Sequence, residues 1–362
     1  MVDIEKKYGS LKIFWHPDKL RSLLEGKITA PIYVRIKPTN KCDHHCYYCS
    51  YDPKVKTILS QRFKRNDEIP KEKMMEILSD FRDMGVKAVT FSGGGEPLIY
   101  PHISETLQKT LDYGINLSII TNGQNLNQER AEILTQAKWV RVSLDSSDPE
   151  TFKEIRRVPT QRFHELISNL RNFARIKNPK CEFGINFVVN EKNFRTVYDS
   201  INLFKEIGLN HVKVTPTVYP LSASDFFEYH KTMLDSVMRQ IEKARKDFSS
   251  KDFTVYDTYE NDFSVANVFE RSYASCPIMQ TVPVIGADST VYFCHDKTYS
   301  NNGMLGSLKD RSFKDLWFSE EAAKIFKTFN PQEGCKHHCT NDLRNKLIID
   351  TMACYGEHVN FI

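Results

Sequence analysis

The chain has 362 residues, of which 40% are hydrophobic and 27% charged, a composition typical of a globular protein with enough apolar side chains for two domains. The net charge of +4 is small for this length, so it gives no reason to expect binding to nucleic acid or to an anionic membrane. The sequence contains no export signal and no apolar run long enough to cross a bilayer, which predicts a cytoplasmic protein with no membrane span.

Short apolar runs alternate with amphipathic segments from about residue 31 to about residue 217. "IYVRIKPT" is typical of a strand, and a helix follows that begins at Pro70 and ends at Gly85. Six β/α units in succession predict an α/β fold with a parallel sheet, either doubly wound or curled into a partial barrel. The later strands of this pattern are "KAVTFSG", "NLSIITNG", "WVRVSLD", "EFGINFVVN" and "HVKVTPT".

The pattern changes in the last third of the chain. Apolar residues recur every three or four positions between Phe226 and Phe248, which predicts a packing helix that bridges to a second unit. Beyond residue 250 the sequence has short strands, turns and isolated cysteines, as expected of a small domain organised by metal. We therefore expect an N-terminal extension (1–30), a β/α barrel (31–222) and a bridging helix with a small α+β domain (223–362).

The distinctive short motifs follow the predicted strands. A cysteine loop follows the first strand, "GGGEP" the second, "TNG" the third and "SLDSS" the fourth. Because the carboxyl ends of parallel strands lie on the same side of the sheet, these motifs predict one functional rim.

The cysteine loop "CDHHCYYC" places Cys42, Cys46 and Cys49 in a C-x3-C-x2-C spacing. In a reducing compartment clustered thiols indicate metal binding rather than disulfides. A structural zinc site needs four ligands, and we expect His44 and His45 to be polar and exposed rather than ligands. Three thiolates on one loop instead suit three corners of a 4Fe–4S cluster, with the fourth iron left open.

This loop and its position resemble the radical S-adenosylmethionine (radical SAM) superfamily, whose fold is a partial (β/α)6 TIM-like barrel. The resemblance implies that an open iron binds SAM and that Tyr48 lies against its adenine. The GGEP segment is expected to receive the amino group of the methionine moiety, and polar residues on later strands its ribose or carboxylate. The residues implied are Gly94, Gly95, Glu96 and Pro97 for the first role, and Ser143 and Asn186 for the second.

Five cysteines lie beyond residue 270, and their spacing resembles the twitch domain, a shortened SPASM domain that holds one auxiliary 4Fe–4S cluster. Four thiolates would leave that cluster no vacant iron. The last pair has a C-x3-C spacing, whereas the family often has C-x2-C, so which four cysteines bind iron stays open, and zinc is an alternative. The expected ligands are Cys276, Cys294, Cys335 and Cys339, with Cys354 as a possible substitute.

The resemblance implies an enzyme that cleaves SAM to a 5′-deoxyadenosyl radical, which removes a hydrogen atom from the substrate. Oxidation of a sugar or aminocyclitol alcohol, with electron transfer to the auxiliary cluster, is the expected reaction. The alternatives are peptide modification, epimerisation with Cys354 as hydrogen-atom donor, and a non-catalytic zinc-binding protein. The expected partners are a sugar-like small molecule or a peptide, and a flavodoxin- or ferredoxin-type electron donor.

Overall fold

The computed structural model describes residues 9–51, 61–218, 223–259 and 269–354, and its main feature is a ten-stranded sheet in the order β10-β9-β8-β1-β2-β3-β4-β5-β6-β7. The strands are β1 Tyr33–Ile36, β2 Ala88–Phe91, β3 Asn116–Thr121, β4 Trp139–Ser143, β5 Glu182–Val189, β6 His211–Pro216, β7 Thr254–Asp257, β8 Val284–Ile285, β9 Thr290–Tyr292 and β10 Met304–Ser307. The helices are α1 Pro17–Leu24, α2 Lys71–Met84, α3 Ile103–Asp112, α4 Gln128–Leu134, α5 Pro149–Arg156, α6 Gln161–Ile176, α7 Val197–Ile207, α8 Ala223–Lys231, α9 Leu234–Phe248, α10 Phe313–Trp317, α11 Glu320–Thr328, α12 Pro331–Gly334 and α13 Asp342–Ala353.

Strands β1 to β7 are parallel and adjacent in chain order, with helices in the connections, so the predicted partial β/α barrel is confirmed. The helices follow their sequence signals. In α2 the apolar stripe that includes Ile77 and Phe81 is fully buried, and Gly85, with a φ of +72°, ends the helix as a left-handed C-cap. In α5 the side chain of Asp148 caps the first turn, and Pro149 occupies its first position.

Seven consecutive parallel strands, β1 to β7, form the barrel among the described residues, one more than the pattern predicted. The amphipathic segment forms two helices, and α9 packs against α7 and β7 rather than leading away from the barrel. Its apolar residues Val237, Ile241 and Ala244 belong to the same buried core as the barrel helices. The helix that was predicted to bridge to a second unit thus packs on the barrel, because its apolar face contacts α7.

Residues along each parallel strand alternate between two environments. In β1, Val34 and Ile36 are fully buried under the helices, whereas Tyr33 and Arg35 face the opposite way and keep partial exposure. β4 repeats this pattern, and its inward-facing residues include Arg141. The inner faces of these two strands therefore carry partly exposed side chains, several of them polar.

The C-terminal unit extends the barrel sheet at its β1 edge. β8 pairs in parallel with β1, and β9 and β10 continue antiparallel from it. The N-terminal extension packs on this unit, since Leu23 shares a small apolar cluster with Ile278 and Ile348. Sheet hydrogen bonds thus join residues on both sides of position 222, and the division into domains there stays a prediction. None of the helices within the described ranges is both long and apolar enough to cross a membrane.

Candidate functional site

The loop with Cys42, Cys46 and Cys49 leaves the carboxyl end of β1 and lies on the last turn of α5. The backbone N–H of His45 donates to the carbonyl of Arg156 at 3.0 Å, and that of Tyr47 donates to the carbonyl of Ile155 at 3.1 Å. The amide of Cys49 closes a turn onto the carbonyl of Cys46 at 3.1 Å. These bonds fix the loop to the barrel, with the three thiols partly exposed.

A buried ion pair lies directly behind the loop. Arg156 pairs with Asp145, and both side chains are at most 5% exposed. Arg156 Nη1 also donates to the sulfur of Cys46 at 3.3 Å, and the hydroxyl of Tyr48 donates to Asp145. Burial alone would lower the pKa of Arg156, but the Asp145 carboxylate raises it well above its usual value, so the guanidinium stays charged beside the thiol.

Sequence reasoning missed both members of this pair. Asp145 lies in the "SLDSS" segment that was recognised as part of the rim, but no spacing rule connected it with a helix residue eleven positions later. The aromatic ring of Tyr48, which was expected to face adenine, is held in place by Asp145. The pair therefore links the cysteine loop after the first strand with the SLDSS segment after the fourth strand through one buried charge network.

The carboxylate of Glu96 joins the loops that follow β2 and β3. It accepts hydrogen bonds from the backbone N–H of Asn122 at 2.6 Å and of Leu98 at 2.9 Å, and from the hydroxyl of Thr121 at 2.5 Å. Burial raises the pKa of Glu96 to about 7, against the opposite effect of these hydrogen bonds. The expected role was contact with the methionine moiety; within this structure the side chain holds two rim loops together.

The two glycines of the GGEP segment lie against the residues that lead into the cysteine loop. A β-carbon on Gly95 would lie 1.9 Å from the carbonyl oxygen of Lys41, and one on Gly94 would lie 2.3 Å from Asn40 Oδ1. Pro97 is buried and begins a short 3-10 turn, Pro97–Ile99. Glycine is thus required here by contact within the protein, in addition to any contact with a cofactor.

Ser143 and Asn186 are direct register partners on β4 and β5, so the structure brings these two predicted residues together on the inner face of the barrel. Asn186 donates to the hydroxyl of Thr215 at 3.2 Å.

The prediction that both histidines of the cysteine loop are exposed was correct for one and wrong for the other. His45 is exposed, but His44 is only 3% exposed and packs edge-on against Phe152, because the loop turns inward at that point.

In the C-terminal unit four cysteines from three chain segments line one cavity: Cys276, Cys294, Cys335 and Cys339. Among the described residues, no three His, Cys, Asp or Glu side chains are arranged to hold a metal ion directly, and these thiols surround a space instead. Burial raises the pKa of each thiol, that of Cys339 to about 12. Cys354 is exposed at the end of α13 and does not line this cavity.

Positive side chains surround the same cavity. Arg271 is buried, pairs with Asp342 at 2.7 Å and lowers the pKa of three of the cysteines. Lys297 is 1% exposed and donates to the carbonyl of Gly334 and to Asn302. A metal cluster needs deprotonated thiols, so these charges suit a group held by thiolates in an otherwise apolar pocket.

One short loop connects this cavity with the barrel interior. It begins at Cys294, continues through Asp296 and ends near Tyr299, whose hydroxyl donates to Asn40 beside the first cysteine loop at 2.6 Å. Asp296 interacts electrostatically with Cys294 on one side and with Lys37 of the barrel on the other. This loop therefore reaches from the cavity of the second cysteine site to the residues that lead into the first cysteine loop.

Comparisons with known proteins agree with this geometry. A model of the radical SAM superfamily matches residues 36–233, and a model of an iron–sulfur cluster-binding domain, SPASM, matches residues 276–340. The PqqA peptide cyclase of Streptomyces rochei is 26% identical over 199 residues, which are 54% of this chain and 51% of that protein. The GTP 3',8-cyclase of Limosilactobacillus fermentum is 28% identical over 182 residues, 49% of this chain and 52% of that protein.

The chain thus spans about half the length of the curated relatives it matches. Among solved structures, Streptococcus suis SuiB bound to its precursor peptide SuiA superposes with a TM-score of 0.62 at 20% identity, over 86% of this chain and 70% of that chain. At this identity the likeness shows the fold alone. Because the first family model covers more than half of the sequence, this chain belongs to the radical SAM superfamily and is a radical SAM enzyme with a SAM-binding 4Fe–4S cluster and a SPASM-type iron–sulfur domain.

Proposed function

We propose that the enzyme oxidises a hydroxyl-bearing carbon of a small polar substrate, with the C-terminal cluster as electron acceptor. The observation that carries this proposal is the loop from Cys294 to Tyr299, which lines the auxiliary cavity at one end and is hydrogen-bonded to Asn40, beside the first cysteine loop, at the other. A substrate radical formed in the barrel would lie close to an oxidant only if such a short connection existed. A sugar or aminocyclitol alcohol stays the expected substrate.

For the SAM-binding cluster we assign Cys42, Cys46 and Cys49 as iron ligands. The hydrogen bonds from Arg156 to the sulfur of Cys46 and from the His44 amide to that of Cys42, at 3.3 and 3.5 Å, are those expected for thiolate acceptors. When bound, the cluster and SAM supply the radical that removes hydrogen from carbon. The residues assigned to SAM are Tyr48, Gly94, Gly95, Glu96, Pro97, Ser143 and Asn186.

For the auxiliary cluster we assign the four cysteines that line the cavity of the C-terminal unit. Their number leaves no iron open to substrate, which favours electron transfer over substrate binding. The nearby Arg271 and Lys297 would offset the negative charge of four thiolates and thereby raise the tendency of the cluster to accept an electron. Cys354, outside the cavity, is kept as a candidate hydrogen-atom donor only for the epimerisation alternative.

The proposed reaction balances in atoms and electrons. The substrate carbon loses one hydrogen atom to the SAM-derived radical, which leaves a carbon radical that bears the hydroxyl. That radical gives up one electron to the auxiliary cluster and one proton to solvent, and the product is a carbonyl compound. A flavodoxin- or ferredoxin-type donor is the proposed source of the electron that starts each turnover.

Replacement of one auxiliary ligand tests the proposal. In Cys276→Ala we expect loss of about four of the roughly eight irons of the chain, while SAM cleavage with dithionite continues and carbonyl product is lost. The assays are iron content, 5′-deoxyadenosine release, and carbonyl formation from a panel of sugars and aminocyclitols. Cys354→Ala is the matched control, because that thiol is exposed and outside the cavity. Normal product from Cys276→Ala would exclude the auxiliary cluster as electron acceptor.

Peptide modification is the second candidate. It is supported by the relatives, since the first is a peptide cyclase and SuiB was solved with a precursor peptide. Deuterium from solvent separates alcohol oxidation from epimerisation, because oxidation places none on carbon whereas epimerisation does. A family match to a radical SAM model favours each of these over the non-catalytic zinc-binding alternative.

A further inference from the structure

The inner face of β1 carries two cations deep in the barrel, Arg35 and Lys37. Both are enclosed by the neighbouring strands and by the loop of the C-terminal unit, and Lys37 has no exposed surface. Lys37 Nζ lies 4.5 Å from the ring centre of Tyr51 and 5.2 Å from that of Tyr299, and it donates to the Tyr51 hydroxyl. Arg35 Nε donates to the hydroxyl of Tyr33 at 3.0 Å.

Neither of these two cations has a carboxylate partner within the described ranges. Among the described residues, no Asp or Glu oxygen lies within ion-pair distance of either side chain. The nearest acid that acts on both is Asp296, whose carboxylate already accepts hydrogen bonds from the backbone and hydroxyl of Thr340, at 2.8 and 3.0 Å. Arg344 adds a further positive charge on the side of Arg35.

Buried positive charge of this kind is costly unless something compensates it. Burial and the neighbouring Arg35 lower the pKa of Lys37 to about 7, so the charged form of this ammonium group is disfavoured. Arg35 has five N–H donors and uses one of them within the described part of the chain, so its guanidinium fork is available to a ligand.

A third group completes the arrangement. His295, on the loop from Cys294, lies within electrostatic reach of Arg35, Lys37 and Arg141. Its Nδ1 is buried and has no hydrogen-bond partner among the described residues. A fork of N–H donors, an ammonium group and a buried imidazole nitrogen match the three oxygens and two negative charges of a phosphate ester better than a single carboxylate.

We propose that the barrel interior between the two cysteine sites binds the phosphate group of a small substrate through Arg35, Lys37 and His295 Nδ1. This inference rests on the proposed function, because it places the rest of the substrate between the SAM site and the auxiliary cavity. It narrows the substrate class from polar alcohols to phosphorylated ones.

Equilibrium dialysis of inorganic phosphate against the anaerobic, cluster-loaded full chain tests the inference. We expect saturable binding to the wild-type protein, and at least about tenfold weaker binding to Arg35→Gln and to Lys37→Gln, since each removes a charge-assisted contact. Two variants are used so that misfolding of one, checked by circular dichroism, does not decide the result. Lys309→Gln is the matched control, because that exposed lysine belongs to a separate surface groove with Arg62 and Lys64.

Several results would overturn the inference. These are absence of phosphate binding to the wild-type protein, loss of binding in Lys309→Gln but not in Arg35→Gln, or displacement of phosphate by an equal concentration of malonate. Unchanged phosphate binding in Arg35→Gln with a shifted auxiliary-cluster potential would show that the cations serve the cluster instead. Carbonyl formation by the same wild-type preparation is measured in parallel, so that carbonyl product without phosphate binding refutes this inference alone, and phosphate binding without carbonyl product from any phosphorylated alcohol refutes the proposed function alone.

Discussion

The two cysteine sites of this protein are built in opposite ways. The first takes three thiols from one loop of eight residues, held by backbone hydrogen bonds to α5 and left partly exposed. The second takes four thiols from three chain segments that line one cavity. Three thiols leave one iron of a cluster free for a ligand, whereas four thiols occupy every iron. The difference indicates chemistry with SAM at the first site and electron storage at the second.

Both sites share a buried Arg–Asp pair, but its partners differ. Asp145 depends on Arg156 and the hydroxyl of Tyr48. Asp342 is bound by Arg271, by Lys346 at 2.7 Å and by Tyr273 at 2.8 Å. Replacement of the arginine should therefore lower the free energy of unfolding more at the first pair than at the second.

The largest expected effect is on SAM cleavage, which should depend on the first cysteine site and not on the second. Cys42→Ala should abolish SAM cleavage, because two thiols cannot hold the cluster that binds SAM, while Cys339→Ala should retain cleavage. Each variant should lose about four irons per chain. The measurements are 5′-deoxyadenosine release and iron content of the anaerobic protein. Cleavage by Cys42→Ala at a rate near wild type would disprove the ligand assignment for the first loop.

The next effect separates the two sites by stability. Arg156→Gln leaves the buried Asp145 charge without its cation and should cost about 3–5 kcal/mol of unfolding free energy. Arg271→Gln should cost less, about 1–3 kcal/mol, because Lys346 and Tyr273 still bind Asp342. Chemical denaturation of the anaerobic proteins measures both.

The same variants should also differ in redox behaviour. Loss of the Arg156 cation beside Cys46 should lower the reduction potential of the SAM-binding cluster and leave the auxiliary cluster unchanged. The neighbouring Arg157→Gln is the control, since that arginine is exposed. Equal stability losses in Arg156→Gln and Arg157→Gln would contradict the importance of the buried pair.

The sequence was informative about features that local spacing encodes. The cysteine loop, the strands with their rim motifs, and the small C-terminal unit could all be predicted, because periodicity and motif position depend on neighbouring residues. The strand β7 was missed because it is a short run that follows a segment assigned to a bridge. The burial of His44 on Phe152 was missed because loop polarity does not reveal which way a turn faces.

Contacts between distant parts of the chain could not be predicted in the same way. The hydrogen bond from Tyr299 to Asn40 joins residues 259 positions apart, and it depends on the pairing of β8 with β1. That pairing is what brings the loop after Cys294 to the barrel interior. Without an observed sheet order, the sequence shows two sets of cysteines but not that one loop lies between them.

The smallest expected effect concerns pH and the rim of the first site. Glu96 has a pKa raised by burial to about 7, against 4.5 in the unfolded chain, so ionisation is less favourable in the folded protein. The contribution of protonated Glu96 to the free energy of unfolding is fully present below pH 4.5. It is lost as the pH rises to about 7, and the loss is at most on the order of 3 kcal/mol.

In Glu96→Gln this loss of stability with rising pH should disappear. The variant should also be less stable overall, because an amide NH2 would face the N–H of Asn122. Urea midpoints between about pH 5 and pH 8 measure both effects, with the exposed Glu129→Gln as control. If stability depended on pH in Glu96→Gln as it does in the wild type, the Glu96 carboxylate would ionise at little cost in the folded wild-type protein. The loops after β2 and β3 would then be joined by a charged group throughout this pH range.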